Sequence, residues 1–310
     1  MEFCFGTGCI GTVSLRRGLI ISFFDQSLLS LGNFLVGIYL IGATAKEQYG
    51  MYALACAAVL FFVGMQNALV TTQMTVLAPC DGGGSRERFC AVLATGQYAI
   101  LLPVLAVASA GTAGAWSAGL LGPDASVLAL TVFAALPGIV LREFFRGYYF
   151  RLEEPRAVLG ADCFYLALLA AGIASAAALS PEELHVGAMC ATGAAALGAG
   201  LAALGFSGMK PAFPGKEMAD ALSLSWRGGK WAAAGVAVTW LQDQSYLYLL
   251  ATLAGSAETA EASAARLFLA PAALLNAGFG RVLLPRWAAM RATGRKQGIG
   301  PMARRILAWM

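Results

Sequence analysis

The feature that most constrains this chain is a series of long apolar runs whose cationic flanks alternate. A helix crossing the hydrocarbon of a bilayer needs about 20 mostly apolar residues. Measured with that length, the sequence holds eight runs, at residues 18–42, 50–78, 89–110, 125–141, 157–179, 181–206, 231–254 and 262–284. Nineteen of the 21 Lys and Arg precede the first run, separate the second from the third, the fourth from the fifth and the sixth from the seventh, or end and follow the eighth. The remaining connections hold only Lys46 and carry Glu47, Asp124, Glu182, Glu183, Glu258 and Glu261, with Arg266 just inside the eighth run. A miscounted run would break the alternation. Since Lys and Arg are retained on the cytoplasmic side, the pattern predicts an all-α integral membrane protein, a polytopic helix bundle in the cytoplasmic (inner) membrane with its N-terminus in the cytoplasm.

Composition supports lipid as the solvent. Hydrophobic residues make up 59% of the 310 and charged residues 12%, against about 25% charged in soluble domains. The 37 glycines and the alanine-rich runs suit close helix packing in a membrane, where no hydrophobic drive holds helices together. The first fifteen residues lack a basic segment before an apolar one, so no cleavable signal is expected. The seven cysteines, Cys4, Cys9, Cys56, Cys80, Cys90, Cys163 and Cys190, form no C-x-x-C pair and are read as small packing residues.

The longest basic-side connection, residues 211–230, mixes Lys216, Glu217 and Asp220 with Leu222, Leu224 and Trp226. It is predicted to be an amphipathic helix on the inner membrane face and a boundary between two lobes. The division expected is a six-helix lobe (1–209), an amphipathic connection (210–230) and the start of a second lobe (231–310). A shift of 213 residues aligns Gly42 with Gly255, Leu54 with Leu267 and Ala57 with Ala270, the pattern of a parallel repeat. Two runs, a basic stretch and an apolar tail at 304–310 make the second lobe read as truncated. Ser180-Pro181-Glu182-Glu183 predicts a capped helix start. Tyr148, Tyr149 and Phe150 beside Arg146 and Arg151 predict an interfacial aromatic belt, and Pro103, Pro137 and Pro271 predict kinks.

The residues 25–76, with Tyr49-Gly50-Met51-Tyr52-Ala53-Leu54 opening the second run, resemble the first helix pair of polysaccharide-biosynthesis flippases. That family belongs to the superfamily that also holds the multidrug and toxic-compound extrusion transporters. Residues 142–160, with Arg-Glu-Phe-Phe-Arg and then Glu-Pro-Arg-Ala, resemble the family's turn between fourth and fifth helices. Residues 240–287, with Leu283-Leu284-Pro285-Arg286, resemble its seventh and eighth. The resemblance implies two six-helix lobes about a cavity that opens alternately to each side. It implies an undecaprenyl-pyrophosphate-linked oligosaccharide as cargo, no cofactor, no covalent chemistry, and partners limited to membrane lipid, the lipid-linked sugar and other polysaccharide-assembly proteins. Drug efflux on the same fold and a membrane-embedded glycan ligase or polymerase are the alternatives. The short outer connections, poor in Lys and Arg, argue against the ligase.

Ionisable groups inside spans face a cavity or a partner. Asp25 lies within the first run, beside a stripe of Gln26, Ser30, Asn33 and Gly37; Gln66, Asn67, Thr71 and Gln73 form a second polar patch. Either patch lines a polar cavity or bonds helices together. Arg142 and Arg146, one turn apart, either grip a pyrophosphate through their planar forks or anchor the inner interface, with Glu143 paired locally. Asp25, Asp162 and Asp243 are candidates for a coupling proton or cation, or for arginine partners. Arg266 either meets an anionic sugar or snorkels to the interface. His185, the sole histidine, is expected in water at a helix end, and no metal site is expected. The glycine-rich residues 81–85 lack the Gly-Lys-Ser/Thr of a phosphate loop, and nothing points to nucleic acid.

Overall fold

The computed structural model describes residues 15–77, 84–152, 154–210, 212 and 215–267. Every regular element among them is helical. They run α1 (Leu15–Ala43), α2 (Lys46–Gln66), a π turn (Asn67–Thr71), α3 (Thr72–Leu77), α4 (Gly84–Ser117), α5 (Pro123–Arg151), α6 (Pro155–Leu179), α7 (Leu184–Ser207) and α8 (Lys216–Leu253). The segment 256–267 is also helical.

Local chemistry sets several ends. Pro123 opens α5 and Pro155 opens α6, where a missing N–H costs nothing and φ is already helical. Asp124 sits in the first turn of α5, at the positive end of the helix dipole. Gly208 follows α7 with φ +63°, a left-handed stop that glycine adopts without strain. The expected Ser180 cap is not formed: its side chain caps nothing, and residues Pro181–Glu183 make a 3-10 turn before α7 begins. Helices α4 and α5 continue through Pro103 and Pro137.

Six stretches among the described residues are long and apolar enough to cross a membrane: Ile20–Ala43, Lys46–Leu77, Glu87–Ser117, Pro123–Arg151, Pro155–Leu179 and Pro181–Ser207. Large apolar side chains face outward along them, among them Phe24, Val107, Leu179 and Phe206 at 67–89% exposure. Surfaces so apolar, on helices that satisfy their own backbone, suit hydrocarbon. The chain is a multi-pass α-helical membrane protein.

Contacts fix which helix ends lie together. At one end Arg88 binds Glu217 at 2.7 Å and Arg151 donates to the Thr75 carbonyl at 2.5 Å. At the other, Lys46 binds Glu261 at 2.7 Å and Gln48 donates to the Glu182 carbonyl at 2.6 Å. The first is the end rich in Lys and Arg.

Helix α7 fills the centre, packed most closely on α5 and α6. It can do so because its inner face is Ala and Gly. A Cβ at Gly138 of α5 would fall 2.6 Å from the Gly193 carbonyl, and one at Gly193 would fall 2.5 Å from Ala135 Cβ. Bare backbone at these two sites lets the helices touch.

Two expectations on single residues fail here. Tyr148 and Tyr149 are buried, with Tyr148 edge-on and Tyr149 tilted against Phe145, and the Tyr149 hydroxyl donates to the Ala203 carbonyl at 2.9 Å. They belong to the core beneath α7 rather than to an interfacial belt. His185 is also buried, at 4% exposure, because α7 turns that face toward the bundle. Among the described cysteines Cys90 is buried, Cys56 partly so, and Cys163 and Cys190 face outward.

Helix α8 runs unbroken from Lys216 to Leu253 across the expected boundary at Lys230. No proline interrupts it, and Gly228 and Gly229 stay helical. Their lack of side chains lets α8 lie against the π turn: a Cβ on Gly229 would fall 2.7 Å from the Ala68 carbonyl. At about 57 Å by helical rise, α8 carries charge over its first half and an apolar face over its second. The eighth apolar run lies mostly outside the described residues, as do Arg281 and the basic residues after it, Pro271 and the tail.

Candidate functional site

Four of the site residues read from sequence come together inside the bundle. Arg142 and Arg146 are one turn apart on α5 and share a face. Asp162 on α6 lies between them: its Oδ1 accepts from Arg142 Nη2 at 2.5 Å and its Oδ2 from Arg146 Nε at 2.8 Å. Asp25 on α1 accepts from Arg146 Nη2 through Oδ2 at 2.9 Å. Glu143 reaches both arginines, at 3.0 and 3.5 Å. The Arg142 guanidinium also lies 3.8 Å from the centroid of the Tyr165 ring, one turn beyond Asp162 on α6, a cation–π contact.

The cluster therefore ties α1, α5 and α6 at one level, about 7–15 Å in from the basic end by helical rise. Asp162 and Asp25 are at 0% and 1% exposure. Three carboxylates face two guanidinium groups, so the ionised cluster carries one negative charge in excess. Asp25 Oδ1 is buried with no hydrogen-bond partner. The cavity beside the arginines is only about 10 Å³, room for roughly one water. In this conformation the guanidinium forks are taken by carboxylates and face no space for a head group.

Other predicted residues lie elsewhere. Gln26 is half-buried and Asn33 exposed. Asn33 is eight residues from Asp25, about 80° around the helix, so the stripe drawn from Gln26 diverges from Asp25's face. Asp243 is exposed on α8, where its backbone carbonyl accepts from Arg266 at 3.1 Å. Arg266 also donates to Gln244 Oε1 at 3.0 Å.

Gln66 is buried on the opposite side of α5. Its Nε2 donates to the Val140 carbonyl at 2.7 Å and to Gln97 Oε1 of α4 at 3.1 Å. Val140 and Arg142 are two residues apart, hence about 200° apart around α5. A cavity of about 250 Å³ opens on the Val140 side between α2, the π turn, α4 and α8. Asn67 is exposed and does not line it.

The π turn explains the cavity's rear wall. A π segment displaces the helical hydrogen-bond ladder. Here Gln73 Nε2 donates to the Ala68 carbonyl at 3.2 Å, and Ser225 of α8 donates its hydroxyl to the Leu69 carbonyl. Gln97, Tyr165 and Ser225 were missed by sequence reasoning. A lone amide amid the apolar third run was a usable cue for Gln97, and spacing of three from Asp162 was one for Tyr165. Nothing in sequence marked Ser225.

Comparison with protein-family models, with curated proteins and with solved structures finds no match. Fold and site together define a polytopic membrane bundle with a buried, mixed-sign charge cluster.

Proposed function

We propose that this chain is a transporter that carries a lipid-linked oligosaccharide across the cytoplasmic membrane by alternating access, with its N-terminus in the cytoplasm. The observation that carries the reading is the buried cluster of Asp25, Arg142, Arg146 and Asp162. Ion pairs inside membrane spans are expensive and mark substrate or coupling pathways. Two arginines one turn apart match the two phosphates of a pyrophosphate linker, whose oxygens take the bidentate fork as a carboxylate does. The resemblance to polysaccharide flippases over residues 25–76 and 142–160 points to the same cargo.

The head group would enter by exchange. It displaces Asp25 and Asp162 from the arginines, and helix α1, tied through Asp25, is released. An anion entering a cluster already negative in sum is opposed unless the displaced carboxyls take up protons. Cargo binding and proton uptake are then linked, and acid favours binding. Asp243, exposed on α8, has no part in this step. Cationic drug efflux is less favoured: among the described residues no carboxylate lines the 250 Å³ cavity, and the buried acids are already held by arginines.

The test is reconstitution of the chain in liposomes with a fluorescent undecaprenyl-pyrophosphate oligosaccharide, read by external quencher. Faster quenching with the chain, lost in Arg146→Gln, supports the reading. Unchanged quenching rejects it.

A further inference from the structure

The cavity on the Val140 side of α5 has a chemistry unlike the cluster. Phe61, Phe62 and Met65 of α2 and Ile100 and Val104 of α4 supply apolar wall, and Trp226 of α8 stands at its edge. Among the described residues the polar side chains lining it are Gln66, Gln97 and Ser225, and no charged residue does. Ser225 spends its proton on the Leu69 carbonyl. The two amides are each more than nine-tenths buried, and each leaves one atom without a hydrogen bond: Gln66 Oε1, an acceptor, and Gln97 Nε2, a donor. A buried polar atom left unpaired costs about 1–3 kcal/mol. Inside a membrane bundle no bulk water relieves it.

We propose that this cavity binds an uncharged, single-chain amphiphile through a hydroxyl head held by Gln66 and Gln97. The occupant follows from what each group can do. A hydroxyl donates one hydrogen bond and accepts another, so one oxygen answers Gln66 Oε1 and Gln97 Nε2 together. A carboxylate or phosphodiester only accepts, leaves Gln66 Oε1 unanswered, and brings charge to a wall with no cation among the described residues. An ammonium only donates. Both glutamines line the cavity, and the last torsion of a glutamine is soft enough to turn either amide toward a ligand.

Size and access agree. A dry apolar cavity of about 150 Å³ holds benzene, so 250 Å³ takes on the order of ten carbon atoms. Ile100, Val104 and Trp226 are each about half exposed on the outer face of the bundle. The mouth between α4 and α8 thus opens sideways, toward hydrocarbon, and a longer chain trails out into the bilayer. The π turn begins at the residue after Gln66, and π segments are frequent at functional sites. The inference stands apart from the transport reading, since it uses neither the charge cluster nor the cargo.

The test is the thermal midpoint of the full chain in phosphatidylcholine nanodiscs, titrated with decan-1-ol, decane or decanoate. Decan-1-ol raises the midpoint saturably, and the other two do not. Gln66→Leu and Gln97→Leu each weaken the alcohol at least about fivefold, the loss of one neutral hydrogen bond. A second readout requires no glutamine variant: 11-bromoundecan-1-ol quenches a saturable fraction of tryptophan fluorescence, and Trp226→Phe removes that fraction. Equal effects of decane and decan-1-ol, an alcohol effect that survives both leucine variants, or the lack of any saturable response in the folded wild type overturns the proposal.

Discussion

The two faces of α5 show opposite ways of placing polar groups in a membrane bundle. On one, Arg142, Arg146, Asp25, Asp162 and Glu143 are charged and densely paired, and the space beside them has closed to about 10 Å³. On the other, Gln66 and Gln97 are neutral and half satisfied, beside a cavity of about 250 Å³. Charge forces closure because an unpaired ion in low dielectric is intolerable. Neutral amides carry a smaller penalty and can line open space. The charged face suits exchange of one anion for another, and the neutral face suits occupancy by something mostly apolar.

The largest effect should come from the charged face. Asp162→Ala removes the most buried acceptor common to both arginines and leaves them Glu143 and, for Arg146, Asp25; breaking a buried ion pair from one side costs about 3–5 kcal/mol. Thermal unfolding in nanodiscs should fall steeply, with Asp162→Leu no better. A mild loss would mean that the cluster is wetter than its burial implies. Next is Ser225→Ala, which removes the hydroxyl that meets the Leu69 carbonyl in the π turn; about 1 kcal/mol is expected, with weaker docking of α8 seen as faster hydrogen exchange at residues 67–71.

On the neutral face the double substitution Gln66→Leu with Gln97→Leu should change stability by about 1 kcal/mol or less, since both partners of the Gln66–Gln97 hydrogen bond and both unpaired atoms leave together and only the Val140 carbonyl, itself within α5, loses a donor. A loss comparable to Asp162→Ala would erase the contrast between the faces. The smallest effect is expected at the Lys46–Glu261 pair, outside both. Hydrogen bonding to Lys46 and its positive charge hold the Glu261 carboxyl below its ordinary range. Any stability it gives is therefore present at neutral pH and is lost as pH falls through the carboxylate range. Both side chains are well exposed, so Lys46→Ala should leave the unfolding midpoint unchanged.

Helix positions were legible in sequence because apolar length is a one-dimensional property. The first six runs match six membrane-length helices, and only their ends moved. Helix α8 passes through Lys230 without a break, over two glycines whose role is close approach to the π turn. That role depends on Ala68, 161 residues before Gly229, and has no local mark. Asp25 and Asp162 were singled out because charge in an apolar run is conspicuous, and Arg142 and Arg146 because they stand one turn apart at the end of the fourth run, yet their mutual pairing is tertiary, and the sequence left phosphate binding, interfacial anchoring, coupling and ion pairing open. Helical spacing puts Gln26 and Asn33 in one stripe beside Asp25, but the bundle turns that stripe outward at Asn33, which is exposed. His185 looked solvent-exposed from the acids before it, and only the packing of α7 buries it.

The most direct test of the central idea, that the Asp25–Arg146–Asp162 cluster is where an anionic lipid head group is exchanged, is cargo binding as a function of pH. Purified chain in nanodiscs would be titrated with undecaprenyl-pyrophosphate oligosaccharide, and the proton uptake on binding measured by calorimetry in two buffers. Net proton uptake in the wild type, abolished with Asp25→Asn and Asp162→Asn together, is the predicted result. Binding with no proton uptake, or uptake that persists in the double variant, would contradict it.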